Sequence, residues 1–448
     1  MMRRVYALAA VNAALQLWLA HHFYGFYTGD EVEVLGESFR LAVGFDYGTW
    51  DVRNTFVADV FVAPLIWIAT HLGITSPSAL IVIATIPFAI ASSLTIVLVY
   101  KLALRWNAPP IVATLLFALH WLPLGFGSTT YPRVIAMCCI TAAALIMERN
   151  AFAAGALVGV AFADRYSEIV YLIPLLVIAR RRAWQVAVGA IASIAITVGV
   201  FDWIRWGAPF SSLRKFAQLT LVERDFASRV KHQSPWWYFE MLPRWCALTL
   251  LPFFWKARRS PMWLFVLIPL LLLSLVSHKE VRYLQGIIPF LAVLAAIGVV
   301  RASGAPLGDG RRAGGAHHST MTITLLAISV IWNLWGIRFL ERESRPAVDA
   351  ARLLGRDPNA RVVASSQPWA CGDKLYLTRG AKAIELGTPP QHVDEILAES
   401  DAVIIYESDV TPAIAAKLGA FRKESVFRAP RARDVIVYRR VSARPAAR

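Results

Sequence analysis

The chain has 448 residues, 57% of them hydrophobic and only 17% charged, with a mean hydropathy of +0.51. Soluble domains carry about a quarter charged residues, so an ordinary soluble globular protein is excluded. The net charge of +16 is dispersed through short loops between apolar runs, which is the pattern of a membrane protein and not of a nucleic-acid groove.

The N-terminal MMRRVYALAAVNAALQLWLAHH has the charge order of a secretion signal. It lacks a small-residue cleavage site and is long enough to span, so it reads as an uncleaved first helix. With 5–23 as the first, apolar runs at 78–100, 109–125, 134–147, 151–163, 167–179, 184–203, 240–255, 261–277, 284–300 and 320–338 predict about eleven transmembrane helices. The run at 60–73 carries Pro64 and His71 and is read as re-entrant or interfacial. The fold class is thus a polytopic α-helical membrane protein, with residues 1–340 as the membrane domain.

Basic residues fall at alternate ends of these runs: MMRR, Lys101 with Arg105, Arg149, Arg180 to Arg182, Lys256 with Arg258 and Arg259, and the stretch 301–312. Collected on the cytoplasmic side, they leave the loops 24–77, 127–133 and 204–239 on the opposite face. Asp164-Arg165, the cluster HKEVRY at 278–283 and the chain after about 340 also lie there.

The first outer loop opens YTGDEVEVLGESFR. Val32, Leu35, Phe39, Ala42 and Val43 share one helical face, while Glu33, Glu37 and Arg40 share another, which predicts an amphipathic surface helix starting near Gly29-Asp30. Asp30 reads either as an N-cap, with Glu33 completing a capping box, or as a carboxylate at the water–membrane boundary able to take a proton.

HKEVRY directly follows a membrane-length run. Lys279 offers a point charge and Arg282 a planar fork suited to phosphate, with His278 a further donor and Glu280 orienting the cations. Arg165, at a membrane turn, is another candidate phosphate or sugar contact. A snorkelling basic flank is the plainer reading, but flanks of that kind collect on the cytoplasmic side. Trp50, Trp236, Trp237 and Tyr238 have rings that can stack on sugars, and interfacial belts collect the same residues.

After the linker 301–318, with its His317-His318 pair, the composition changes. RVVAS, DAVIIYES and DVIVYRR read as strands and HVDEILAES as a helix, giving a small soluble α/β domain over 342–448 without a glycine-rich phosphate loop. Four cysteines without paired spacing support neither a disulfide framework nor a zinc site.

Five pieces in order resemble the dolichol-phosphate-mannose-dependent mannosyltransferases of the C-type glycosyltransferase fold, glycosyltransferase family 22. They are Gly29-Asp30-Glu31, Tyr47-Gly48-Thr49-Trp50-Asp51, Phe201-Asp202 with Trp206-Gly207, Ser234-Pro235-Trp236-Trp237-Tyr238, and His278-Lys279-Glu280-Val281-Arg282-Tyr283. The resemblance covers about residues 25–290. It departs from the family at Asp51, where Glu is usual, and at Arg53-Asn54.

The resemblance implies an inverting transfer of mannose from a polyprenyl-phosphate donor to a lipid-linked or glycan acceptor, forming an α-mannoside. Asp30 is then the base, with Glu31 as second choice. His278, Lys279, Arg282 and Arg165 meet the donor phosphate. Trp50, Asp51, Trp236, Trp237 and Tyr238 contact sugar or acceptor, and Glu280 and Asp202 support them. No Asp-x-Asp motif lies in an outer loop, so neither metal nor cofactor is expected. Another lipid-phosphate sugar transferase of this architecture, a flippase of lipid-linked glycans, or a membrane scaffold remain alternatives. Short loops and an Ala/Arg-rich composition point to a bacterial inner membrane with periplasmic chemistry. A eukaryotic source would place the protein in the endoplasmic reticulum with lumenal chemistry.

Overall fold

The computed structural model describes residues 1–24, 26–27, 29–44, 51–222, 232–302, 320–336, 344–366, 373–377, 381–386, 392–430 and 432–441. Trp50, with Tyr47, Gly48 and Thr49, lies outside the described residues, as do positions 303–319 of the linker with His317 and His318. The chain divides into two units, one of Met1–Trp18, Thr49–Leu65 and Ala84–Arg338, the other of Leu19–Gly48, Ile66–Ile83 and Phe339–Arg448.

Among the described residues, three helical stretches are long and apolar enough to cross a membrane: Pro77–Arg105, Tyr166–Trp206 and Val281–Ala302. Shorter apolar helices span Ala58–His71, Arg133–Ile146, Ala151–Asp164, Pro261–Ser274 and Thr320–Trp335. The first helix runs Met2–His22. The stretch Tyr166–Trp206 is interrupted at Arg180, whose φ of +50° breaks the helix where the two predicted spans meet. The predicted span at 240–255 is a series of short pieces, Trp237–Glu240, Leu242–Trp245 and Leu251–Lys256, with prolines at 243 and 252 beginning two of them. Trp18, Ile90, Ile191, Leu271 and Ile323 are exposed, as lipid-facing residues are.

In the larger unit a buried polar knot joins the first helix to its neighbours. Gln16 Nε2 donates to Asn12 Oδ1 at 2.9 Å and to Ser92 Oγ at 2.8 Å, while Ser93 Oγ donates to Asn12 Oδ1 at 3.1 Å. Ser92 Oγ in turn donates to the Pro123 carbonyl at 3.1 Å. Hydrocarbon gives such groups no partner, so bonding between helices fixes how they pack.

The helix Ala151–Asp164 begins where Asn150 Oδ1 accepts the Ala153 N–H at 2.9 Å. It lies backbone to backbone against Ala183–Ile194. A Cβ on Gly155 would stand 1.9 Å from the Val186 carbonyl oxygen, and one on Gly189 2.0 Å from that of Phe152. Gly159, four residues on, faces Ser193. This is the small-residue face by which membrane helices approach closely.

In the second unit the helix Gly29–Val43 buries Val32, Leu35 and Phe39. Its polar side departs from expectation: Glu31 and Glu37 are buried too. Each is partnered. Glu31 Oε2 accepts the Tyr27 N–H at 2.9 Å, and Glu37 takes two bonds from the Arg40 guanidinium at 3.0 and 2.9 Å. The helix starts at Gly29, so Asp30 sits in its first turn and not at the cap. The expected Asp30-to-Glu33 capping box therefore does not fit the helix start.

The C-terminal sheet holds β1 (Val362–Ser365), β2 (Lys382–Glu385), β3 (Ala402–Tyr406), β4 (Phe421–Phe427) and β5 (Val435–Arg440) in the order β2-β1-β3-β5-β4. β1 pairs in parallel with β2 and β3, whereas β3–β5 and β5–β4 are antiparallel. β3 is buried along its whole length, which explains its uninterrupted AVIIY. The helix Val393–Glu399 follows HVDEILAES as predicted. β2 and β4 had no clear signal in the sequence: one is short and half exposed, the other carries Arg422, Lys423 and Glu424 in succession.

Replacing Gly155 or Gly189 by valine is expected to lower stability by about 1–3 kcal/mol through overpacking. The check is the apparent Tm of the detergent-purified protein, and an unchanged Tm for both variants would mean the close approach is dispensable.

Candidate functional site

HKEVRY begins after the helix Leu264–Ser274 and leads into Val281–Ile287 and Ile288–Ala302. Its charges converge on Glu280. The Arg282 guanidinium pairs with that carboxylate, and His278 Nε2 stands 3.3 Å from its other oxygen. Arg282 also lies 5.6 Å from the Tyr131 ring centroid and 5.7 Å from that of Tyr283. Arg133 sits 4.5 Å from the same Tyr283 ring, so one aromatic ring is shared by two guanidinium groups.

Arg133 opens the helix Arg133–Ile146 and is 8% exposed. It pairs with buried Glu168 and donates to Ser167 Oγ at 2.9 Å. Asp164 Oδ2 accepts the Ala136 N–H at 2.9 Å in the first turn of the same helix, where the helix dipole favours an anion. Arg165 is half-buried in the turn between Asp164 and Glu168. The structure thus joins HKEVRY to the 131–133 and 164–168 turns in one cluster of arginines, carboxylates and tyrosines.

Lys279 faces elsewhere. It is 1% exposed, and its ammonium donates to the carbonyls of Val276 at 2.5 Å and Gln233 at 3.1 Å. Burial lowers its pKa below the usual lysine value. The side chain of Gln233 reads the Lys279 peptide on both sides, accepting from its N–H at 2.6 Å and donating to its carbonyl at 2.9 Å. The Gln233 N–H adds a bond to the Ser277 carbonyl at 3.0 Å. Lys279 and Gln233 therefore fasten the segment that begins at 232 to the HKEVRY stretch.

The aromatic stretch divides. Trp236 is 69% exposed and Trp237 half-buried, so their rings are accessible to a ligand. Tyr238 is wholly buried, which raises its phenol pKa, and its carbonyl accepts the Trp245 indole N–H at 2.9 Å.

Asp202 is wholly buried behind a single π-helical turn, Ala195–Val200. It accepts from Asn54 Nδ2 at 3.1 Å, from the Ser212 N–H at 2.9 Å and from the Ser212 hydroxyl at 2.5 Å. Asn54 Nδ2 also reaches the Thr197 carbonyl at 3.1 Å. Nearby, Asp51 pairs with Lys215, and Arg205 with Asp59 at 3.2 Å. Asp202 ties the segment at Asn54 to the helix Ser211–Ala217. Asp30 and Glu31 belong to the other unit; Asp30 is half-buried and Glu31 fully buried.

Sequence reasoning placed none of Tyr131, Arg133, Glu168 or Gln233 in the site. The signal for the first two was present as GSTTYPR in an outer loop. Glu168 and Gln233 had none, because each acts through a partner distant in the chain. No three His, Cys, Asp or Glu side chains gather in a metal-binding arrangement among the described residues.

Compared with known proteins, residues 40–345 match the Alg9-like mannosyltransferase family. No curated protein sequence matches the chain. Among solved structures, ArnT from Cupriavidus metallidurans in the apo state superposes with a TM-score of 0.61 at 13% identity, covering 98% of each chain. The same enzyme bound to undecaprenyl phosphate gives 0.59 at 14% identity, again over 98% of each. The Archaeoglobus fulgidus oligosaccharyltransferase, in complex with zinc and sulfate, gives 0.53 at 11% identity over 97% of this chain and 73% of its own. At such identities the likeness is one of fold, that of C-type glycosyltransferases.

Lys279→Met would strip two buried carbonyls of a charge-assisted partner, a loss of about 1–3 kcal/mol. Thermal unfolding in detergent should register it as a lower Tm, and wild-type stability would mean the ammonium has another role.

Proposed function

The chain belongs to the Alg9-like mannosyltransferase family, and we propose that it moves mannose from a polyprenyl-phosphate donor to a lipid-linked or glycan hydroxyl with inversion. It is an integral membrane glycosyltransferase, which sets aside the flippase and scaffold readings. The observation that carries the donor assignment is the arginine pair around Tyr283, with Glu280 holding Arg282 at the end of an apolar helix. A phosphate at the bilayer surface needs planar, fixed cations at such a boundary. The fold neighbour that binds undecaprenyl phosphate supports the same donor class.

In this reading Asp30 takes the proton of the acceptor hydroxyl as its oxygen bonds to the anomeric carbon. The bond from that carbon to the phosphate oxygen breaks, and the polyprenyl phosphate leaves with its charge met by Arg282 and His278. Arg165 and Arg133 complete the positive surround. Asp30 is preferred over Glu31 because Glu31 is fully buried and accepts the Tyr27 N–H. Lys279 and Asp202 act as positioning residues, and Tyr238 as packing beneath the accessible Trp236 and Trp237. Asp51, paired with Lys215, and Trp50 are acceptor contacts in this reading.

The eleven-crossing count is supported by who touches whom. Asp51 with Lys215, Asn54 with Asp202, Arg133 with Glu168 and Gln233 with Lys279 each join residues in the loops assigned to the outer face or at the outer ends of the adjoining spans. Arg105 with Glu148, Arg182 with the Glu148 carbonyl and Arg301 with the Lys256 carbonyl join residues assigned to the inner face. Counting 60–73 as a crossing would put Asp51 and Lys215 on opposite faces.

The test is transfer from radiolabelled polyprenyl-phosphate-mannose to endogenous acceptors in membranes carrying wild type or Asp30→Asn. Asparagine keeps the shape but cannot act as a base, so transfer should fall by ~10²–10⁴-fold. Equal transfer by both would remove Asp30 from the role of base. Activity should persist in excess EDTA; loss restored by a divalent cation would overturn the metal-free reading.

A further inference from the structure

Asp30 stands in the first turn of the helix that starts at Gly29. A helix N-terminus frays. Left to itself, this is a poor mount for a carboxylate that must be held to within about 0.5 Å.

An external mount exists within the same unit. Phe26 and Ser344 exchange two hydrogen bonds: the Phe26 N–H donates to Ser344 Oγ, and the Phe26 carbonyl accepts from the Ser344 N–H at 3.3 Å. Two residues earlier, the Tyr24 hydroxyl donates to Asp349 Oδ1 at 2.5 Å. The Tyr24 ring is covered by the guanidinium groups of Arg352 at 4.6 Å and Arg345 at 5.4 Å. Burial, and then Asp349, raise the Tyr24 pKa, so the phenol stays protonated and able to donate. Phe26 and Ser344 are 2% and 3% exposed.

The mount continues in both directions. Ser344 precedes the helix Arg345–Leu354, which buries Val348, Ala351 and Leu354 and packs on β3, β4 and β5. On the other side, Tyr27 donates its N–H to Glu31, one residue beyond Asp30. A chain of direct contacts therefore runs from the C-terminal sheet through Ser344 and Asp349 to Phe26 and Tyr24, and on to the first turn of the Asp30 helix.

We propose that the C-terminal α/β region is the positioning device for the Asp30 carboxylate, with Ser344 and Asp349 as positioning residues acting through Phe26 and Tyr24. This rests on the reading of Asp30 as the base. A displacement of about 1 Å at a reacting group costs on the order of 10²-fold in rate. The region's task is then to fix the approach to that helix and not to bind donor.

The experiment uses the full-length protein, with radiolabelled polyprenyl-phosphate-mannose as donor and endogenous membrane acceptors. Tyr24→Phe, Asp349→Asn and Ser344→Ala should each lower apparent kcat about 5–50-fold with donor KM unchanged. Ser344→Thr, which keeps the hydroxyl, should restore most of the rate. Because Tyr24 and Asp349 act as one contact, the double variant should be no slower than the worse single one. Unchanged kcat, or a kcat loss that merely follows the fraction of folded protein, would overturn the proposal.

Amide hydrogen exchange over residues 29–36 gives an answer independent of activity: the three variants should exchange there at least about tenfold faster than wild type. If wild type transfers no mannose, the donor reading fails, and exchange still decides whether the mount exists. Unchanged exchange would sink the anchoring itself.

Discussion

Hydrocarbon offers nothing to hold a charge or an unpaired peptide group, and that constraint organises this molecule. Among the described residues of the larger unit the ion pairs stand near helix ends, and where polar side chains enter the interior, as with Asn12, Gln16, Ser92 and Ser93, they bond to one another. Everything chemical must happen at a rim, where guanidinium groups and carboxylates can coexist with water. At that rim the arginines are not loose flanks. Glu280 pairs with Arg282, Glu168 with Arg133, and the Tyr283 ring lies near both cations. Each carboxylate reduces the local positive charge and gains in return a fixed orientation of its arginine. For the phosphate contact proposed for these arginines, geometry is worth more than an additional unit of unplaced charge.

The family and the fold speak to different levels. The match over residues 40–345 states what class of enzyme this is. The neighbours at 11–14% identity share with it only the way helices are strung. Between the two lies the site, and there the chemistry has to be argued from side chains. The contrast between Lys279 and Arg282 shows why. They stand three apart in one motif, yet the lysine points into backbone carbonyls and the arginine toward aromatic rings.

Much of this was legible in the sequence, and the failures have physical causes. Hydropathy read the apolar helical stretches, because membrane insertion itself reads that quantity. The buried strand β3 was plain from its unbroken apolar run, whereas β2 and β4 pair at the sheet edges with polar, exposed residues and left no pattern. The capping box expected from Asp30 to Glu33 failed, since only the helix start, which falls at Gly29, decides which residue can be the cap. Arg133, Glu168 and Gln233 were invisible as site residues: each draws its meaning from a contact across more than thirty residues of chain. Asp202, singled out only by resemblance, has three hydrogen bonds that explain its burial.

Gln233 has a consequence that reaches past stability. Its amide imitates a peptide group and completes, with the Lys279 backbone, a two-bond bridge that a neighbouring strand would otherwise make. A loop closed by such a clip is mechanically separate from what lies beyond it. The stretch before residue 233 can then lengthen, shorten or change its sequence while the arginines around Tyr283 keep their places. In evolutionary terms the clip makes the loop an exchangeable cartridge, which can be refitted without rebuilding the arginine cluster that the proposed reading gives to the donor.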